Sequence, residues 1–209
     1  MGDSPIGIDL HEGSVATARQ NIDRFVSNRV SFQQGDAGNL PFTDNSFSHV
    51  VVSGHLPFIP PDDRRNHVVE SIRVLKPWGY LLVALYYYHL TPPSELVEEF
   101  NAKIGTRLSS DGTRSYWTQL FDGLLLDLEY EADYEVLTDD GERTSQYIQQ
   151  MRSETRDDWK DYLRLFHENG RFLRYFVRVY RKIPNESNLM LQIPRGGIYN
   201  VRQITSRSF

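Results

Sequence analysis

The sequence predicts an α/β fold, a mostly parallel sheet with an antiparallel final strand and a helical cap. Two observations carry this. Over residues 1–90, short apolar runs alternate with stretches of helical spacing, the pattern of a parallel sheet covered by helices. Farther on, residues 124–136 and 172–183 alternate apolar and charged side chains, acidic in one stretch and basic in the other. That is the signature of strands with one wet face.

The elements follow in chain order. Ile6 to Leu10 is a short strand ending in an acid, and Ser14 is placed to cap a helix carrying Val15, Ala18, Ile22 and Phe25 on one side. Arg29 to Gln33 reads as a second strand closed by Gly35-Asp36, and Ser48 to Ser53, with Val50-Val51-Val52, as a buried third. Pro60-Pro61 opens a helix through Val68, Val69, Ile72 and Leu75 that stops at Lys76-Pro77, and Gly79 to Tyr86 is the next strand. Thr91-Pro92-Pro93 starts a helix with Leu96, Val97, Phe100 and Ile104, which Gly105 stops.

In the stretch 124–136, Leu124, Leu126, Leu128, Tyr130, Ala132, Tyr134 and Val136 take one face, and Asp127, Glu129, Glu131, Asp133 and Glu135 the other. The stretch 172–183 sets Arg174, Arg178 and Lys182 on one face. The two are expected to pair antiparallel, basic against acidic, which helps to fix register. Between them, Tyr147, Ile148, Met151, Trp159, Tyr162, Leu163 and Phe166 have helical spacing, with turns at Asp139-Asp140-Gly141 and Asn169-Gly170. Residues 1–183 thus read as one domain with cap segments at about 87–118 and 138–170, and 184–209 as a loosely ordered tail.

Composition narrows the function. The 209 residues include 23 basic and 28 acidic side chains and no cysteine. The lack of cysteine excludes disulfides, thiolate nucleophiles and zinc–thiolate sites, and fits a reducing compartment such as the cytoplasm. No region has the positive balance of a phosphate-tracking surface, so nucleic acid is not an expected partner. No apolar run approaches the roughly 20 residues of a membrane span. The six histidines show no metal-ligand spacing, and neither a Gly-x-Ser-x-Gly elbow nor a phosphate-cradling Gly-Lys-Ser loop occurs.

Two acids stand out. Asp9 ends the first strand and Asp36 the second, and ligands of open parallel sheets bind beyond the carboxyl ends of the strands. One such carboxylate can accept both hydroxyls of a ribose, and another can accept the exocyclic amine of an adenine. Together they describe an adenosine site. Taken singly, each also reads as a turn former or a helix cap.

Around them stand Gly7-Ile8-Asp9-Leu10, Gly35-Asp36-Ala37 with Leu40-Pro41-Phe42, Asp44-Asn45-Ser46-Phe47, and Arg73-Val74-Leu75-Lys76-Pro77-Trp78-Gly79. Over residues 5–90 the sequence resembles the class I S-adenosylmethionine-dependent methyltransferases, in particular the branch related to ubiquinone and menaquinone biosynthesis. The resemblance implies a Rossmann-like fold, S-adenosyl-L-methionine as cofactor, and methyl transfer to a small-molecule acceptor. It implies that Asp9 holds the ribose hydroxyls and Leu10 packs on the adenine. Asp36 would accept from the adenine amine, the backbone of Ala37 would contact the ring, and Ser53 would lie near the methionine part. His55 follows, where an acceptor would sit, as the candidate catalytic base, with a structural hydrogen-bonding role as the other reading.

One departure matters. The glycine-rich loop of that family should precede Asp9, yet only eight residues do and none forms it. The chain is therefore expected to be N-terminally incomplete, its first and third strands lacking a common neighbour. Tyr86, Tyr87, Tyr88, Tyr147, Met151 and Trp159 are candidates for lining an acceptor pocket under a lid, and Met151 and Trp159 read equally as the core of a helical cap. Two further readings stay open at this stage. One is a non-catalytic remnant that keeps the cap as a binding surface; the other is a nicotinamide-dependent oxidoreductase, which also uses an acid for ribose.

Overall fold

The computed structural model describes residues 4–25, 30–136 and 159–185. The chain begins with strand β1 (Ile6–Asp9), helix α1 (Glu12–Phe25) and strand β2 (Ser31–Gln34). Strand β3 (Phe47–Ser53), helix α2 (Arg64–Val74) and strand β4 (Leu75–Tyr88) follow. Helices α3 (Ser94–Ile104) and α4 (Arg114–Gln119), strand β5 (Leu126–Glu135), helix α5 (Trp159–Gly170) and strand β6 (Leu173–Lys182) complete the described residues.

The strands form two sheets, a parallel pair β1-β2 and a four-stranded sheet in the order β3-β4-β6-β5. Strands β3 and β4 run parallel, and β6 runs antiparallel to both β4 and β5. The mixed sheet and the antiparallel last strand agree with the sequence pattern, and among the described residues β1 and β3 share no neighbouring strand.

The core lies on one face of the larger sheet. There Leu81, Val83 and Leu85 of β4 and Phe176 and Tyr180 of β6 meet Val68 and Ile72 of α2, and Trp117 and Phe121 at and beyond α4. Fully burying an aliphatic or aromatic side chain of this kind contributes about 1.5–3 kcal/mol, so this layer dominates stability. The α3–α5 pair packs separately through Phe100 and Phe166, whose rings meet edge to face at 5.3 Å.

Several expected boundaries move. Helix α1 starts at Glu12, so Ser14 lies inside its first turn rather than capping it. The segment after Pro60 first makes a short 3₁₀ turn at Pro61–Asp63, and the α-helix begins only at Arg64. The expected stop at Lys76-Pro77 lies inside β4. Leu75 already pairs with Phe47, and Tyr80 pairs with His49, so the intervening residues bulge out of the ladder. Trp78 takes a positive φ of 64° in that bulge. A Cβ at Gly79 would sit 2.9 Å from both the Lys76 and Ser48 carbonyl oxygens, which explains glycine there. Helix α3 behaves as expected, with Gly105 in the left-handed region at φ 86°.

The β5–β6 pairing is antiparallel as expected, but the acids of β5 do not share one face. Leu128 pairs with Tyr180 and Tyr130 with Val179, so Glu129 is an extra residue. One extra residue reverses which side every later side chain faces. Leu124 and Leu126, ahead of the bulge, pack on the core. Glu131 and Asp133, beyond it, turn toward the same side and meet Arg178 and Arg114. Arg174 pairs with Glu135, as the pattern anticipates. Lys182 instead donates to the carbonyls of Ile72 and Leu75 at the carboxyl end of α2, where a cation is favoured.

Helix α5 runs through the expected turn at Asn169-Gly170. Its Leu165 is fully buried and Phe166 is 41% exposed. Tyr147, Ile148 and Met151, the side chains of Trp159, Tyr162 and Leu163, and the tail beyond residue 185 lie outside the described residues. No helix among the described residues is long and apolar enough to cross a membrane.

Candidate functional site

The parallel register fixes the two acids first. Asp9 is the last residue of β1 and pairs with Gln34, the last of β2, so Asp36 emerges two residues beyond on the adjacent strand. The Gly35 amide donates to the Asp9 carbonyl at 2.9 Å, closing the two strand ends together. Each carboxylate is held by one oxygen. Asp9 Oδ1 accepts from the His11 amide at 2.8 Å, and Asp36 Oδ1 from the Gly38 amide at 2.7 Å. These are the turn-forming bonds anticipated for a strand-end aspartate. They orient each carboxylate and leave its Oδ2 without a hydrogen bond among the described residues.

Leu10 is 60% exposed beside Asp9. Its carbonyl accepts from the Gln34 side chain at 3.0 Å, which fixes the backbone that presents it. An outward apolar side chain next to an oriented carboxylate suits a flat, polar-edged ring. Ala37 is half-buried in the turn that follows Asp36.

That turn is clamped from α2. Asn66 donates to the Gly38 carbonyl at 2.8 Å. Glu70 accepts from the Leu40 amide, and Arg73 donates to the carbonyls of Leu40 and Phe42, to Asp44 and to Glu70. The bond from Arg73 is the leading influence on Glu70, holding its carboxyl below the usual range.

Ser53 and His55 come from the other sheet. Ser53 is exposed at the carboxyl end of β3, and Gly54 turns the chain with φ 73°. The His55 ring then packs on His67 of α2, with ring centroids 5.6 Å apart. His67 in turn faces Asp36, Nε2 to Oδ1 at 4.0 Å. The structure therefore links His55 to Asp36 through His67, and brings Asp9, Leu10, Asp36 and Ala37 together at one pair of strand ends.

The imidazoles are unusual. His55 Nε2 and His67 Nδ1 are buried and carry no hydrogen bond. Burial, with a smaller contribution from His67, lowers the His55 pKa to about 4. Burial also lowers that of His67, against the pull of Asp36 and Asp63. Both rings are thus neutral at pH 7. Sequence reasoning passed over His67 because it sought metal-ligand spacing, and among the described residues no cluster of three or more potential ligands could hold a metal ion.

Tyr87 and Tyr88 are buried, their hydroxyls donating to Asp133 and Asn169. Tyr86, near the carboxyl end of β4, is 46% exposed.

The residues present fit the adenosine half of S-adenosylmethionine. Two oriented carboxylates, each with an open oxygen, match a ribose diol and an amine, and Leu10 offers the apolar surface. No glycine-rich loop occurs among the described residues to approach the methionine half.

Residues 2–79 match the family described as methyltransferase domain. A 77-residue stretch is 38% identical to the demethylmenaquinone methyltransferase of Desulfitobacterium hafniense, covering 36% of this chain and 30% of that protein. The chain thus spans about 30% of the length of the curated relatives it matches. Among solved structures, the MccD protein superposes with a TM-score of 0.66 at 23% identity, over 86% of this chain and 80% of that one. Geranyl diphosphate methyltransferase in complex with SAM gives 0.60 at 14% identity, over 85% and 68%. At such identities the structures establish the fold alone. Residues 2–79 thus resemble the methyltransferase domain, and the chain as a whole shares the mixed α/β fold of these solved structures.

Proposed function

We propose that this chain binds S-adenosyl-L-methionine at the carboxyl ends of β1, β2 and β3 and transfers its methyl group to a small-molecule acceptor. The observation that carries the reading is the pair of carboxylates on adjacent parallel strand ends, each fixed through one oxygen with the other open. The cofactor supplies an electrophilic methyl group and its own leaving group. What remains for the protein is binding, alignment and exclusion of water.

In this reading Asp9 accepts the ribose hydroxyls, Leu10 covers one face of the adenine, and Asp36 accepts from its exocyclic amine. The Ala37 backbone borders the ring, and Ser53 stands on the methionine side. His55 lies toward the acceptor. As a base it is a weak one, because burial resists the charge it would take up and its Nε2 is already enclosed. A nucleophile that needs no strong base fits this site best. Demethylmenaquinone, the substrate in the name of the Desulfitobacterium relative, is the first acceptor to screen. A reducing compartment such as the cytoplasm suits a chain without cysteine.

Calorimetric titration with S-adenosylhomocysteine tests the reading. The wild-type chain should bind, and Asp9→Ala and Asp36→Ala should each weaken binding about tenfold or more, the loss of a hydrogen bond to a charged group. A folded chain that does not bind, or two variants that bind as the wild type does, refutes it.

A further inference from the structure

The adenosine site, as read above, contains a carboxylate with a neighbour that can compete for it. Asp36 is 58% exposed at its side chain, whereas the His67 side chain is only 9% exposed. His67 is wedged against the turn that Asp36 begins. A Cβ added to Gly38 would come within 2.8 Å of His67 Nε2 and 3.2 Å of Asp36 Oδ1, so ring, turn and carboxylate are in mutual contact around one glycine. Asn66, the residue before His67, donates to the Gly38 carbonyl and locks the turn from the same helix. On its other side His67 meets the His55 ring. One buried imidazole therefore joins the adenine side of the mouth to the acceptor side.

At 4.0 Å, His67 Nε2 is too far from Asp36 Oδ1 for a hydrogen bond. A charge-assisted bond between imidazolium and carboxylate would close to about 2.7–2.9 Å. The groups facing His67 favour that closure once it is charged. Asp36 faces it from the turn after β2 and Asp63 from the 3₁₀ turn ahead of α2, while the His55 ring, from the loop after β3, packs against it and stays uncharged well below neutral pH. On α2 itself the Glu70 carboxylate is committed to Arg73 and the Leu40 amide.

We propose that His67 is a positioning residue of the adenosine site. Neutral, it braces the Gly38 turn and leaves the open oxygen of Asp36 to the adenine amine; protonated, it draws the Asp36 carboxylate onto its own Nε2 and away from the ligand. This inference rests on the assignment of Asp36 to the adenine. Burial, which keeps His67 neutral at pH 7, sets the site in its binding form there. The sign follows from linkage. If the ligand favours neutral His67, affinity is full above the pKa of His67 and falls as pH drops through it.

The experiment is titration of the full chain with S-adenosylhomocysteine between pH 8 and pH 5.5, for wild type and His67→Gln. The wild-type dissociation constant should weaken toward the acid end of this range, and at least about twofold more than that of His67→Gln, since the glutamine keeps a polar brace but does not titrate. The His55 pKa of about 4 keeps that ring out of the window. Parallel pH profiles in the two proteins overturn the inference while leaving the adenosine site intact. No binding by folded wild type at pH 8 overturns the functional reading instead. Should His67→Gln not fold, the His67 imidazole is followed by NMR in the wild type. Saturation with S-adenosylhomocysteine should lower its pKa, and an unchanged or raised pKa overturns the inference.

Discussion

Arg64 is the side chain whose replacement tests the packing argument most sharply. It is 2% exposed and has no carboxylate partner among the described residues. Its Nε donates to the carbonyls of Leu56 and Ile59 at 3.1 and 3.0 Å, its Nη1 to the Tyr116 hydroxyl at 2.7 Å and its Nη2 to the Arg107 carbonyl at 2.6 Å. The guanidinium also lies over the Trp117 ring, 4.8 Å from its centroid. One planar fork thus ties the loop after His55, helix α4 and the segment after α3 to the first residue of α2. In Arg64→Lys the buried charge remains, but a single nitrogen cannot reach acceptors on three sides. Each orphaned acceptor costs about 1–3 kcal/mol, and some will find other partners, so a net loss of about 2–3 kcal/mol is expected. In Arg64→Met all four acceptors are orphaned, but the desolvation cost of the charge disappears, which offsets the larger loss. Arg64→Lys should therefore be at least as destabilising as Arg64→Met. Urea unfolding followed by tryptophan fluorescence reads this directly. With a slope near 2 kcal/mol per molar, the midpoint should fall by about 1 M for the lysine variant. A lysine variant within about 0.5 kcal/mol of wild type would mean that the fork geometry contributes nothing, and the argument fails.

Two further outcomes follow from the same structure. Gly79→Ala places a methyl 2.9 Å from two backbone carbonyl oxygens, so unfolding stability should drop by about 1–3 kcal/mol; an unchanged urea midpoint would show that the β4 bulge relaxes freely. His55 has a folded pKa of about 4, below its ordinary 6.5, so its contribution is complete above pH 6.5 and is lost as pH falls toward 4. At about 1.4 kcal/mol per pH unit the loss cannot exceed roughly 3.5 kcal/mol. Between pH 7.5 and pH 4.5, His55→Gln should consequently lose up to about 2 kcal/mol less stability than wild type in urea melts. Equal losses in the two proteins would contradict the burial argument.

The parts of the fold that could be read in advance are those set by local periodicity. The buried face of α3 follows from spacing, because it packs one continuous stripe against α5. What spacing misses are features imposed by a partner. The bulge at Glu129 is one. The unbroken alternation of residues 124–136 describes a regular strand, yet the regular strand would turn Glu131 and Asp133 away from Arg178 and Arg114. A buried guanidinium such as Arg178 is costly without a carboxylate, so pairing outweighs the loss of one ladder position. The extension of β4 back to Leu75 is another. Lys76-Pro77 reads as the stop of a helix, but it lies in a bulge of β4, within a pairing that Phe47 and Leu75 continue on its far side.

The site divides in the same way. Asp9 and Asp36 are legible because a strand-end acid has a local cause, the turn bond to a backbone amide two residues on, and because parallel register sets adjacent strand ends side by side. His67 has no local signature. It sits in the middle of α2, where a histidine is an ordinary helical residue. The role proposed for it arises only because Asn66 and Arg73, on the same helix, fasten the loop from Gly38 to Asp44 against α2 and bring Asp36 within 4.0 Å of the ring. The consequence is specific. In the proposed site, assembled from two strand ends and a helix face, the acid assigned to the ligand is read from the strand, whereas the group proposed to decide how freely this acid is offered is read from the helix. If both assignments hold, affinity for an adenosine ligand should depend on α2 as much as on Asp36 itself.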